Sequence, residues 1–111
     1  MDNTTICALA TPAGGAIGVV RVSGPNAISI TDQIFRPAGV KSLAEGKANT
    51  VHYGEIIDGD DHIIDDVLVC VFRSPHSYTG EDSTEISCHG SRYVLSQVLK
   101  RLIDCGCRQA G

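Results

Sequence analysis

The run Val67-Leu68-Val69-Cys70-Val71-Phe72 constrains this chain most. Six successive apolar residues, three of them Val, are too few for a buried helix and suit a strand placed centrally in a sheet. The preceding stretch Thr50 to Ile57 (TVHYGEII) has the same strand character, and Asp58-Gly59-Asp60-Asp61 supplies a turn. Residues 50–57 and 63–72 therefore read as a hairpin. Val (10) and Ile (11) together far outnumber Leu (6), which favours a sheet over a helical bundle.

The other elements arrange themselves around that hairpin. Thr4 to Ala10 (TTICALA) reads as a strand, broken by Thr11-Pro12-Ala13-Gly14-Gly15. Ile17 to Ser23 (IGVVRVS) is a second strand, apolar except at Arg21. Gly24-Pro25 opens a helix over Asn26–Phe35, and Arg36 to Asn49 is expected to be a loop. Arg73 to Asp82 is a long polar loop, and Ser83 to Cys88 (STEISC) is an alternating strand. Gly90 to Cys105 is the clearest helix, with Val94, Leu95, Val98, Leu99, Leu102 and Ile103 as its buried stripe and Gly106 as its stop. The order β-β-α-β-β-β-α, in 111 residues, predicts one α+β domain with helices packed on a mixed, largely antiparallel sheet.

Several function classes are disfavoured. A net charge of −4 argues against a dedicated nucleic-acid grip. There is no internal repeat, no apolar run long enough to span a membrane, and no basic-then-apolar leader after Met1-Asp2-Asn3. No G-x-x-x-x-G-K-[ST] occurs, so these residues hold no P-loop. Five cysteines without a C-x-x-C pair suggest a reduced, cytoplasmic chain. The sequence stops just past a helix stop, which suggests a boundary with further protein downstream.

Candidate chemistry concentrates in three places. Thr11 to Gly24 is glycine-rich, but Gly14, Gly15 and Gly18 do not make G-x-G-x-x-G and lead into a strand, so a tight turn is the better reading. Arg21, flanked by Val20 and Val22, must snorkel, pair with a carboxylate or hold an anionic ligand. The polar loop Ser74 to Asp82 leads to Glu85, whose strand face is all polar; a carboxylate there accepts two parallel hydrogen bonds from an amidine-like edge, or is simply a solvated surface charge with Glu81 and Asp82. Cys88-His89 point apart on a strand and form no dyad with each other, and neither they nor Cys105-x-Cys107 fit a common zinc spacing. Cys7, Cys70 and Cys88 read as small core residues, and Asp58, Asp60, Asp61, Asp65 and Asp66 as a charged hairpin tip without EF-hand order. No catalytic or metal-binding residue is assigned.

Two long motifs carry a resemblance. Ala10-Thr11-Pro12, Gly14-Gly15 and Gly18-Val19-Val20-Arg21-Val22-Ser23-Gly24 are similar to the opening of the tRNA modification GTPases called MnmE or TrmE. Ser74-Pro75-x-Ser77-Tyr78-Thr79-Gly80-Glu81-Asp82-x-x-Glu85-x-x-x-His89-Gly90 resembles that family's second signature. Cys105 to Gly111 resembles the stretch before its "PGEFT" motif. Ser91 stands where "HGG" is usual, and Ser83-Thr84 where apolar residues are common.

The resemblance implies that residues 1–111 are a single N-terminal domain, similar to the folate-binding module of the glycine-cleavage T protein. It implies binding of a tetrahydrofolate derivative (5-formyl- or 5,10-methylene-) as one-carbon source, with Arg21 and Glu85 as contacts and a third contact, a lysine, outside these residues. It also implies a homodimer. The whole protein would hydrolyse GTP, with Mg and K held in a separate GTPase domain. With a flavin-dependent partner, the MnmG or GidA protein, it would modify carbon 5 of the wobble uridine of tRNA. Two alternatives compete: a purely structural dimerisation module, and an independent aminomethyl-transfer enzyme, for which the chain is short and offers no base beyond Glu85 and Asp82.

Overall fold

The computed structural model describes residues 4–11, 14–39, 42–74 and 80–110. Strand β1 (Ile6–Leu9) runs antiparallel to β2 (Ile17–Ser23), followed by helix α1 (Ala27–Ile34) and a short strand β3 (Phe35–Pro37). A 3-10 turn (Leu43–Glu45) precedes the hairpin β4 (Thr50–Ile57) and β5 (Ile63–Phe72). Strand β6 (Ser83–His89), helix α2 (Arg92–Asp104) and strand β7 (Arg108–Gln109) complete the order. The seven strands form one sheet in the order β3-β4-β5-β6-β2-β1-β7, antiparallel except for the β1–β7 pair. The α+β class and the hairpin bounds are as expected from the sequence.

Both helices lie on one face. Val20 and Val22 of β2, Val67, Val69 and Val71 of β5 and Ile86 of β6 point to that face and are buried with Ile34 and Leu102. Apolar alternation thus builds a two-layer core. None of the helices in the described residues is long and apolar enough to cross a membrane.

Four expectations need correction. The stretch Arg36 to Asn49 is not all loop: Phe35 leaves the helix to start β3, which pairs with β4 through Arg36↔Glu55. Pro37 is tolerated there because β3 is the edge strand. Second, β7 adds a parallel partner to β1, two residues long and invisible to periodicity. Third, β5 is interior but its apolar run is not buried on both faces: Leu68 is 45% exposed, and Cys70 and Phe72 are half-buried. Fourth, Ile103 lies outside the buried stripe of α2, which consists of Leu95, Val98 and Leu102 flanked by Val94 and Leu99.

The departures from the family pattern have structural uses. Ser91 caps α2, its Oγ accepting from the Val94 N–H at 3.1 Å. Thr84 is fully buried and meets Thr31 of α1, Oγ1 to Oγ1, at 2.8 Å. Gly90 cannot carry a side chain, because a Cβ would run into the Gly15 carbonyl; the Gly90 N–H donates to Ala16 O at 3.0 Å. Gly24 adopts φ +138° and packs against the Thr5 backbone.

Candidate functional site

Among the described residues, no helix or strand packs on the sheet face opposite the helices. Strand alternation places Ile17, Val19, Arg21 and Ser23 of β2 on it, with Ser83, Glu85, Ser87 and His89 of β6 beside them. Across its centre runs one row: Ala8 opposite Arg21, Arg21 opposite Glu85, Glu85 opposite Cys70, and Cys70 opposite Val51. Much of this face is apolar and exposed, at Ile17 (64%), Val51 (59%), Tyr53 (57%) and Leu68 (45%).

The fold brings the two candidate binding residues together. Arg21 donates to one oxygen of Glu85, Oε2, from Nε at 3.0 Å and from Nη2 at 2.7 Å. Of the three fates open to Arg21, pairing with a carboxylate is the one observed. Both of these N–H bonds use Oε2, which leaves Glu85 Oε1 able to accept from a ligand. The arrangement is forked at the arginine and single at the carboxylate.

Beside Arg21 opens a cleft of about 380 Å³, walled by Ile6, Ala8, Leu9 and Ala10, with Arg21, Ser23 and Glu81 as its polar lining. Ser23 Oγ donates to Glu81 Oε2 at 2.9 Å. Glu81 and Ser23 are candidate site residues that sequence reasoning passed over; Glu81 lies in the motif but its sequence context favours a surface charge. Asp82 Oδ1 accepts from the Ser74 N–H at 2.8 Å, tying the ends of the polar loop together. The motif residues Pro75, Ser77, Tyr78 and Thr79, like Pro12, lie outside the described residues.

Cys88 and His89 diverge as strand geometry requires. Cys88 is buried, its thiol facing the Gly18 carbonyl at 3.6 Å; burial, with a smaller push from Asp65, raises its pKa to about 11. It is a core thiol, not a nucleophile. Cys70 is also raised, first by burial and then by the charge of Glu85. His89 is exposed and is held by Asp65, whose Oδ1 accepts from Nδ1 at 2.6 Å and whose Oδ2 accepts from the His89 backbone N–H at 2.8 Å. Asp65 therefore does not belong to the charged hairpin tip; its side chain is only 10% exposed. At that tip Asp58, Asp60 and His62 bring one potential ligand atom each within 4.8 Å of one another. Asp58 is committed to the turn: its Oδ1 accepts from the Asp60 and His62 N–H groups, which hold its pKa below the usual value.

The family described as "GTP-binding protein TrmE N-terminus" matches residues 5–111. A tRNA modification GTPase MnmE of Bacteroides thetaiotaomicron is 60% identical over 111 residues, covering 99% of this chain and 24% of that protein. The proteins of the same name from Parabacteroides distasonis and Flavobacterium johnsoniae are 54% and 48% identical, with 96% and 99% of this chain and 24% of each relative covered. The chain thus spans about a quarter of the length of these relatives.

Proposed function

Because this chain belongs to the TrmE N-terminal family, we propose that it is the tetrahydrofolate-binding and dimerisation domain of a tRNA-modifying GTPase. The observation that carries the reading is the Arg21–Glu85 pair at the centre of a bare sheet face, beside a cleft of about 380 Å³. Paired charges are ordinary on surfaces. This pair, though, sits among exposed apolar residues and adjoins a cleft carrying a second carboxylate, Glu81.

The residues present fit a reduced pterin. Such a head group is flat, with a ring N–H beside an amino group. Glu85 Oε1 would accept from such an edge, Oε2 is shared with Arg21, and the apolar residues Ile6, Ala8 and Leu9 of the neighbouring cleft would supply contacts to the rings. Arg21 supplies donors to a ring carbonyl or an acidic tail. When bound, the folate supplies a one-carbon unit. The side chains here bind and orient it.

In the whole protein this domain would serve a GTP hydrolase acting on carbon 5 of the wobble uridine, with the flavin-dependent MnmG or GidA protein as partner. GTP, Mg and K are assigned to residues other than these, which carry no P-loop. The exposed apolar residues Val51, Tyr53 and Leu68 favour a second copy of the chain against the same face. A cytoplasmic setting fits the five free thiols.

Calorimetric titration with 5-formyltetrahydrofolate tests the binding. Micromolar affinity, lost by at least tenfold in Glu85→Gln with unchanged thermal stability, is the expected result. One observation favours the structural alternative: Arg21 and Glu85 already pair with each other. Binding that is absent, or unaffected by Glu85→Gln, would establish the pair as a sheet contact and leave dimerisation alone.

A further inference from the structure

We infer that the ligand site is elongated and that His89, oriented by Asp65, is its far hydrogen-bonding station. The inference rests on the tetrahydrofolate reading and extends it to a residue that reading does not use.

Asp65 lies on the side of β5 that points to the helices, yet its carboxylate reaches His89. The β5–β6 ladder ends at Leu68↔Ser87, so these two strands do not pair with each other beyond it. The Asp65 carboxylate fills that gap, accepting from both the backbone N–H and the ring Nδ1 of His89. A carboxylate only accepts, so Nδ1 carries a proton, and in the neutral ring Nε2 presents a lone pair. The ring is 71% exposed while its anchor is 10% exposed, which is a side chain fixed at its root and presented outwards.

His89 lines a hollow of about 200 Å³ whose walls include Ile17, Tyr53 and Leu68. This hollow opens on the same bare face as Arg21 and Glu85. From Arg21 to Ile17 along β2, or from Glu85 to His89 along β6, is four residues, about 13 Å. Between the two stations lie Val19, Ser87 and Leu68, a mostly apolar floor without a charge. A flat polar head at Arg21–Glu85, an aromatic linker over Val19 and Leu68, and an N–H donor at His89 match this spacing. Asp65 and Asp66 beside the ring disfavour an anionic group there, so the contact is to an amide or anilino N–H of the linker and not to a terminal carboxylate.

The test compares two probes on this chain by calorimetry: 5-formyltetrahydrofolate, and a reduced pterin lacking the aminobenzoyl-glutamate part. Variants are His89→Ala, His89→Gln (which keeps an acceptor) and Asp65→Asn. The expected result is about a fivefold loss of affinity for the whole folate in His89→Ala, partial recovery in His89→Gln, and unchanged pterin affinity in both. Asp65→Asn should follow His89→Ala for folate. Its ring 15N shifts should report a changed tautomer, a readout that mere loss of fold would not give. Equal losses for both probes, or no loss for either, would overturn the far station while leaving the head-group reading intact. If wild-type chain binds neither probe, the tetrahydrofolate reading fails and this inference falls with it.

Discussion

The buried Thr31–Thr84 contact permits a prediction whose sign follows from proton counting. Thr31 Oγ1 lies 2.8 Å from Ala27 O and 2.8 Å from Thr84 Oγ1. A hydroxyl has one proton. The Ala27 carbonyl only accepts, so the Thr31 proton goes to it, and Thr84 must be the donor to Thr31. Both side chains are fully buried, so no water substitutes for a lost partner. Thr31→Val removes the acceptor of the Thr84 hydroxyl and strands a buried donor, costing about 1–3 kcal/mol. Thr84→Val removes only the donor, Thr31 keeps its bond to Ala27, and the cost is about 0.5–1.5 kcal/mol. The double variant leaves no stranded donor and conserves shape, so it should be more stable than Thr31→Val alone by about 1 kcal/mol, roughly 4 °C in melting temperature for a chain of this size. Urea unfolding of the four proteins forms the double-mutant cycle. If the two single variants are equal, or the double variant shows their sum, the assigned direction of the hydrogen bond is wrong.

Two further outcomes follow from the same structure. The thiols of Cys88, Cys70 and Cys107 all hold their protons more tightly than the ordinary value of 9.0, whereas Cys7 is lowered, chiefly by the hydrogen bond from Cys107. A pKa raised on folding stabilises below the unfolded value and is lost above it, so urea midpoints should fall as pH rises from about 9 towards 11; a flat or rising profile would contradict the burial of Cys88. Asp32 accepts from the N–H groups of Leu43 (2.6 Å) and Ala44 (3.0 Å), capping the 3-10 turn. Asp32→Ala should cost about 1–2 kcal/mol and speed limited proteolysis near Leu43–Gly46, and unchanged cleavage would show that the Arg73 contacts to Leu43, Ala44 and Gly46 suffice.

What the sequence shows and hides divides along physical lines. Strands β4 and β5 are readable residue by residue because turn chemistry and apolar runs are local signals. Strand β3 is not, because its three residues are extended only through pairing with β4. The bare face of β5 is hidden because Leu68, Cys70 and Phe72 are apolar as well, so exposure leaves no trace in the pattern. Arg21 and Glu85 each stand out from their strands. That they meet depends on the β2–β6 register across 64 residues, which no local pattern encodes. Asp65 is hidden differently: it sits in an acidic run and looks like its neighbours, and only the end of the β5–β6 ladder sets it apart.

The two motifs make sense once strand alternation is applied to them. In Val20-Arg21-Val22-Ser23-Gly24, the valines point into the helix-covered core and Arg21 points out. Ser23 reaches Glu81, and Gly24 makes the turn towards α1. In Glu85-Ile86-Ser87-Cys88-His89-Gly90, Ile86 and Cys88 are core, Glu85 and His89 face outwards, and Gly90 admits the Gly15 backbone. Each motif therefore interleaves scaffold and site with a period of two. Burial alone accounts for the inward set; it does not account for a cation, a carboxylate and an anchored imidazole on the opposite face. A sheet that needed only to fold would have no use for Arg21 and Glu85 in a row flanked by Ala8, Cys70 and Val51, where charges are half desolvated and little is gained from pairing them. The proposed ligand on that face gives their placement a use that the fold alone does not.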